Sequence, residues 1–490
     1  MDLNFLQKKI RFVGQSHVLS DFHNYGRNFN SEPKKLYDFK KFISSNTDIC
    51  DPKVDLLQVA LCQSNDSVVY NEARRLIRSN TNFYFDWCNK ENFVLENQHK
   101  KMSFKCLPET NNAALSPDCH SIITVNDDQL YLWNANTGEN ICSAKNHHQT
   151  INHCTFSPDG QYALTCSDDG TATVWQMTGS SHKFVNNNDH FIEGRRRHNS
   201  GKNICLICYK TIIPNSSKFK TDSIGEPLTF HSLKCGDISS DNRYVLLGTN
   251  TGFIHIFSLD GGVQLYSSYN IDNLQSDVTC CSFTSDVRYF LFLIQENVYV
   301  YSMNITTSKN GHHFQHKISP ALYTKLAHDQ VAYNAVFNLQ AKSNKLAIFT
   351  SSGMCIIYEY SVNFSNSDFH PFLGKNILQW NIKRPKFGKL HRKKKPEQKE
   401  RDCSFRYLLP EKAAGYISIC AVSSDGRQIA GFETTRNEIY FWQRKIAQSI
   451  YCFHTLSSIN TLSFSIREQC LFTLNSRNEI TLWDLEQVCF

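Results

Sequence analysis

Two textures of hydrophobic and polar positions divide the chain. From about Ser103 onward, short runs of β-branched and aromatic residues alternate with polar ones, and Ser-Pro-Asp or Asp-Gly turns break them up. Before that, the apolar residues recur at helical spacing. Val18, Leu19, Phe22 and Tyr25 form one stripe, with Ser16 as its N-cap. Leu36, Phe39, Phe42 and Ile43 form a second, and Val54, Leu56, Leu57 and Ala60 a third. Val68, Ala73 and Ile77 form a fourth, with Arg74, Arg75 and Arg78 placed to favour its C-terminal half. Residues 1–98 are therefore predicted to be a small α-helical domain, and residues 99–490 a strand-built one.

The strand region repeats. Its clearest copy, INHCTFSPDGQYALTCSDDGTATVWQM (151–177), reads strand, turn, strand, turn, strand ending in Trp175. Other copies carry Ser116-Pro117-Asp118 before Trp133, Ser240-Asp241 before Phe257, and Ser285-Asp286 before Tyr301. Further copies carry Ser351-Ser352-Gly353 before Tyr360 and Ser423-Ser424-Asp425-Gly426 before Trp442, and the last ends in Trp483-Asp484. The short steps between these aromatics match the period of roughly 40–45 residues expected of propeller blades. The longer step from Tyr301 to Tyr360 reads as one blade with a lengthened loop. Two steps of twice the period contain 180–227 and 363–406; neither shows the turn–strand–turn grammar, so both read as insertions. The prediction is an all-β seven-bladed WD-repeat propeller preceded by the helical domain. A single blade cannot bury its own face, so the ring must close. Too little chain follows Trp483 for a fourth strand, and Met102–Leu107 is predicted to fill that place.

Composition changes this picture in one respect. Formal net charge is +7, yet residues 381–401 alone carry a surplus of eight positive charges, leaving the rest of the chain at −1. Basicity belongs to one segment, KRPKFGKLHRKKKPEQKER (383–401), which reads as a solvated loop on the propeller rim or as a contact for acidic partners, RNA or import machinery. Its aromatics are too few for a single-strand stacking platform, so nucleic-acid binding is disfavoured. No run of eighteen apolar residues predicts a membrane span, and the N-terminus has no apolar signal region. The nineteen cysteines are scattered through strand-like runs, including Cys154, Cys280, Cys281 and Cys420, which suits a cytoplasmic chain without disulfides.

The helical region carries a resemblance. The segments FVGQSHVLSDFHNY (12–25), VDLLQVALCQSNDSVVYNEARRLI (54–77) and FYFDWCNKENF (83–93) resemble the end of the helical arm of the apoptotic protease-activating factor family, where that arm leads into a WD-repeat region. The resemblance implies an adaptor whose propeller restrains caspase activation until a death signal arrives. It covers roughly residues 8–180. The family's caspase-recruitment and nucleotide-binding domains are not found, and no G-x-x-x-x-G-K-[ST] loop occurs. The chain thus reads as the regulatory C-terminal part of such a protein, oligomeric only within a longer chain bearing a nucleotide-binding domain. The alternative is a WD-repeat scaffold of another cytosolic or nuclear complex, RNA-associated through the basic loop.

Candidate partner-binding residues are Lys383, Arg384, Lys386, Arg392, Lys393, Lys394 and Lys395 in the basic segment, and Asp168 and Asp169 in a turn. The vertebrate members of the resembled family clamp cytochrome c between two propellers. A near-neutral single propeller is a poor electrostatic match for that basic protein unless acidic turns such as Asp127-Asp128 and Asp168-Asp169 gather, and Asp pairs also serve as ordinary turn residues. Cys205 and Cys208 have C-x-x-C spacing, but zinc needs two further ligands, and a buried strand carrying two thiols is the simpler reading. His147-His148 reads as loop chemistry between blades. No H-E-x-x-H, G-x-S-x-G or kinase catalytic loop is present. A non-enzymatic chain with no cofactor is expected.

Overall fold

A computed structural model describes residues 2–27, 34–78, 83–86, 100–178, 205–214, 231–268, 276–284, 286–295, 297–307, 314–325, 332–337, 345–350, 355–359, 378–379, 417–423, 428–443, 449–455, 457–465 and 470–485. The chain resolves into two compact units, one of residues 1–233 with 457–490 and the other of residues 234–456.

The first unit begins with helices. α1 (Leu3–Val13) is capped by Asp2, whose carboxylate accepts from the Asn4 N–H at 2.9 Å. It ends at Gly14, whose φ of 87° suits a residue without Cβ. This helix is not among the four stripes legible in the sequence. Its buried set, Leu3, Leu6 and Ile10, sits beside exposed Phe5 and Phe12, which blurs the stripe. α2 (Gln15–Arg27) buries Val18, Leu19 and Phe22 but leaves Tyr25 exposed. Ser16 lies inside that helix rather than at its cap. α3 (Lys34–Ser45), α4 (Leu56–Leu61) and α5 (Val68–Ile77) come next; α4 is capped by Asp55 and α5 by Ser67.

Among the described residues the strands form seven four-stranded antiparallel sheets, the blade count expected from the repeat. β1 (Lys100–Lys105) comes first in the chain but belongs to the last sheet. The first complete blade is β2 (Thr110–Leu115), β3 (Ser121–Asn126), β4 (Gln129–Asn134) and β5 (Asn140–Lys145). The second is β6 (Ile151–Phe156), β7 (Tyr162–Ser167), β8 (Ala172–Thr178) and β9 (Cys205–Ile212). The second unit holds β10 (Leu233–Ile238), β11 (Tyr244–Thr249), β12 (Ile254–Ser258) and β13 (Gln264–Ser267), then β14 (Val278–Phe283), β15 (Tyr289–Ile294), β16 (Asn297–Thr307) and β17 (Phe314–Lys325). It continues with β18 (Ala332–Phe337), β19 (Lys345–Thr350), β20 (Cys355–Glu359) and β21 (Leu378–Gln379), and with β22 (Ile417–Val422), β23 (Gln428–Glu433), β24 (Glu438–Gln443) and β25 (Ser449–His454). β26 (Ile459–Phe464), β27 (Cys470–Asn475) and β28 (Glu479–Asp484) complete the chain, and β28 takes β1 as its outer neighbour.

The turn chemistry explains the period. In six blades a hydroxyl after the first strand accepts the N–H that opens the second: Ser116 from Ser121, Ser157 from Tyr162, Ser239 from Tyr244, Thr284 from Tyr289, Ser423 from Gln428 and Ser465 from Cys470. In four of these the same hydroxyl donates to the Asp two residues on, each at 2.6 Å. The hydroxyls of the third and fourth blades are Ser239 and Thr284, one residue before the Ser240 and Ser285 that the sequence pattern suggests. The residue after that Asp is left-handed in all four turns, as Cys119, Gly160, Asn242 and Val287. Only one of those four is the glycine that the turn geometry prefers.

The interval 180–227 is not wholly insertion. Its one apolar run is β9, the outer strand of the second blade, paired along β8 from Ala172↔Ile212 to Thr178↔Cys205. β9 is an edge strand, so Cys208 is exposed and the expected buried strand of two thiols does not hold there. Within 363–406 only Leu378–Gln379 is described, as β21.

Candidate functional site

The most complete polar arrangement lies in the second blade. Trp175 is fully buried in the middle of β8, and its Nε1–H donates to Thr165 Oγ1 at 3.0 Å. Thr165 sits on β7 and lies 2.7 Å from His147 Nε2. His147 Nδ1 faces Asp169 Oδ2 at 3.2 Å and Thr171 Oγ1 at 3.1 Å. Asp169 also accepts from the His148 N–H at 3.0 Å and from the Thr171 N–H at 2.8 Å.

Proton positions are set by these partners. Burial pushes the His147 pKa below 6.5, against the pull of Asp169, so the ring is neutral at neutral pH. A carboxylate only accepts, so Nδ1 carries the proton and Nε2 is an acceptor. Thr165 therefore donates to Nε2, and one directed chain runs Trp175 → Thr165 → His147 → Asp169. The Thr171 hydroxyl and the backbone N–H groups hold the Asp169 carboxyl below its usual range although burial opposes them. The arrangement clamps a turn to a buried indole. It has no accessible nucleophile and holds its histidine by two ring nitrogens already in use.

The same Trp-to-Thr bond recurs from Trp133 to Thr124 at 2.9 Å and from Trp483 to Thr473 at 3.0 Å. In those two blades no histidine reaches the threonine among the described residues. The repeated indoles are core: Trp175 packs in one cluster with Ile123, Leu132 and Phe156, and Trp133 in another with Phe104.

The acidic turn residues are likewise occupied. Asp168 Oδ1 accepts from Asn152 Nδ2 at 2.6 Å and from the Ser232 hydroxyl. Asp128 pairs with Lys145 at 2.5 Å, and Asp127 accepts from the Thr150 hydroxyl at 3.1 Å. Asp168 and Asp169 thus serve different ends: the first ties the turn to Asn152 and Ser232, the second orients His147. His148 is exposed beside the buried His147. Lys383, Arg384, Lys386, Arg392, Lys393, Lys394 and Lys395 lie outside the described residues. No group of three His, Cys, Asp or Glu side chains able to hold a metal occurs among the described residues.

A junction that the sequence does not reveal joins the helices to the last blade. Glu479 opens β28, and its Oε1 accepts from Thr47 at 3.0 Å and from Ser103 of β1 at 2.6 Å. Its Oε2 accepts from Asn475 at 3.3 Å. Ser44 of α3 donates to the Lys101 carbonyl at 3.2 Å, and Lys105 pairs with Asp48 at 3.4 Å. Thr47 and Glu479 stand 432 residues apart, so no local pattern could have marked them.

Comparison with known proteins agrees with this division. Residues 1–80 match the APAF-1 helical domain, and residues 138–176 match the WD domain, G-beta repeat. The chain is 38% identical over 77 residues to serine-threonine kinase receptor-associated protein of Gallus gallus, covering 16% of this chain and 22% of that one. It is 34% identical over 68 residues to Lissencephaly-1 homolog 1 of Paramecium tetraurelia, covering 14% and 17%. The chain thus spans about a fifth of the length of these curated relatives. Among solved structures it resembles the β-propeller domain of Cps50 (Swd1) from Myceliophteria thermophila, with a TM-score of 0.50 at 10% identity, covering 77% of this chain and 97% of that one. In fold, the chain is a WD-repeat β-propeller, the architecture of a protein-interaction scaffold, preceded by helices that match the APAF-1 helical domain.

Proposed function

We propose that the protein is a non-enzymatic cytoplasmic adaptor that regulates caspase activation, acting as the sensor half of an apoptosome-type scaffold. The observation that supports this most is the helical segment. Residues 1–80 match the APAF-1 helical domain, and they pack into one apolar core with β1, β27 and β28. An arm seated in this way connects a propeller to whatever the helices serve. The basic residues 383–395 are proposed as a second contact, for acidic protein surfaces. Cytochrome c is the less favoured partner, because the acidic turns Asp127-Asp128 and Asp168-Asp169 are engaged within the fold.

A second reading has its own support. The curated relatives that the chain matches over part of its length include serine-threonine kinase receptor-associated protein. On that reading the chain is a WD scaffold in another complex. Immunoprecipitation of the protein from its own cells, with mass spectrometry of the co-purifying proteins, separates the two. An initiator caspase or a nucleotide-binding oligomerisation protein is expected, together with altered caspase activity on depletion. Recovery of receptor-signalling or RNA-containing complexes alone, with caspase activity unchanged, overturns the first reading.

A further inference from the structure

β1 is the only strand of the last blade that comes from the far end of the chain. Its ladder to β28 runs through Met102↔Leu482, Ser103↔Thr481, Phe104↔Ile480 and Lys105↔Glu479. The Cys106 N–H extends it to the Asn478 carbonyl at 2.8 Å. Without β1, β28 would be an open edge presenting unpaired N–H and C=O groups. The face of β1 is not closed by the blade alone. Met102 and Phe104 belong to the same apolar cluster as Phe39, Phe42 and Ile43 of α3 and as Phe472 and Leu482 of the blade. The polar side of the same seam converges on one carboxylate, Glu479, which accepts from the loop after α3, from β1 and from β27 at once. Ser103 is fully buried, and its hydroxyl also lies 3.0 Å from Thr481 Oγ1.

We infer that the helical segment is the clasp of the propeller's closing blade, so that undocking of α3 and release of β1 from β28 are one event, with Glu479 as the acceptor that both share. The physical reason is that each half stabilises the other's contact. Removing α3 with the loop that follows it exposes the apolar side of β1 and takes one donor from Glu479. Removing β1 takes another donor from Glu479 and strips α3 of the surface it covers. A partner that grips the helices in their docked position therefore fastens the last blade, and one that draws them away frees the β28 edge. This coupling is independent of which partner the helices serve.

Hydrogen–deuterium exchange on the full chain tests it. Thr47→Val removes one hydroxyl that reaches only the Glu479 side chain and leaves the backbone ladder between β1 and β28 intact. Loss of a bond to a charged acceptor is expected to speed amide exchange in peptides of β1 and β28 roughly tenfold. Peptides of β6 to β8 should keep the wild-type rate, and Thr47→Ser should restore protection. Ser44→Ala, which loses the bond to Lys101, provides a second, milder variant with the same pattern. Faster exchange in α3 with β1 and β28 unchanged in both variants overturns the inference, as does faster exchange spread equally over the blades.

Discussion

Thr165→Val removes one hydroxyl at nearly constant shape, and the consequences can be worked from the second blade. The Trp175 Nε1–H, fully buried, loses its acceptor at 3.0 Å. His147 Nε2, equally buried, loses its donor at 2.7 Å. A buried polar group left unpaired costs about 1–3 kcal/mol, so two such groups put the expected loss at about 2–6 kcal/mol. Thr165→Ser keeps the hydroxyl and should lose under about 1.5 kcal/mol, the cost of one methyl group. Trp175→Phe removes the donor, so the double variant Thr165→Val with Trp175→Phe should lose less than the sum of the singles by about 0.5–3 kcal/mol. Urea unfolding followed by circular dichroism, with the m-value compared across variants, gives each number. A valine variant no less stable than the serine variant, or strict additivity in the cycle, would refute the directed chain from indole to carboxylate.

The same chain sets a pH dependence. The folded-state pKa of His147 lies below 6.5, so the unfolded chain binds the extra proton first and stability falls as pH drops below about 6.5. His147→Gln should flatten this limb in thermal melts between pH 7 and pH 5. Asp237, on β10, acts in the opposite sense: burial pushes its carboxyl up to about 6 although the Phe283 N–H donates to it at 2.8 Å. The folded state then holds the proton that the unfolded state releases, so this group costs stability as pH rises from about 4 through 6. Asp237→Asn should be more stable than wild type at pH 8 and lose that advantage near pH 4. Gly138 adopts a φ of 67° in the turn after β4, and a Cβ there would stand 2.8 Å from Phe104 Cγ. Gly138→Ala is expected to cost about 1–3 kcal/mol in the same urea assay, through clash and a strained backbone.

The repeat determined much of this protein by itself. Hydroxyl–Asp turns at a fixed period, each followed by a strand and a buried aromatic, specify blades, because one hydroxyl can donate to the Asp of the turn and accept the next strand's N–H at once. Seven blades, and a last blade completed by the strand near Met102, are consequences of that count. The helical stripes marked α2 to α5 but not α1, whose exposed Phe5 and Phe12 hide its buried face. What the tertiary structure decided was how the polar side chains are used. Asp168 and Asp169 are neighbours in sequence, yet one accepts from Asn152 and Ser232 and the other from His147. β9 became the edge of a blade although its sequence reads as a buried run, because a strand's exposure depends on its place in the sheet. The junction at Glu479 was beyond any local pattern. Its donors come from opposite ends of the chain, and only closure of the last blade brings them within hydrogen-bond reach.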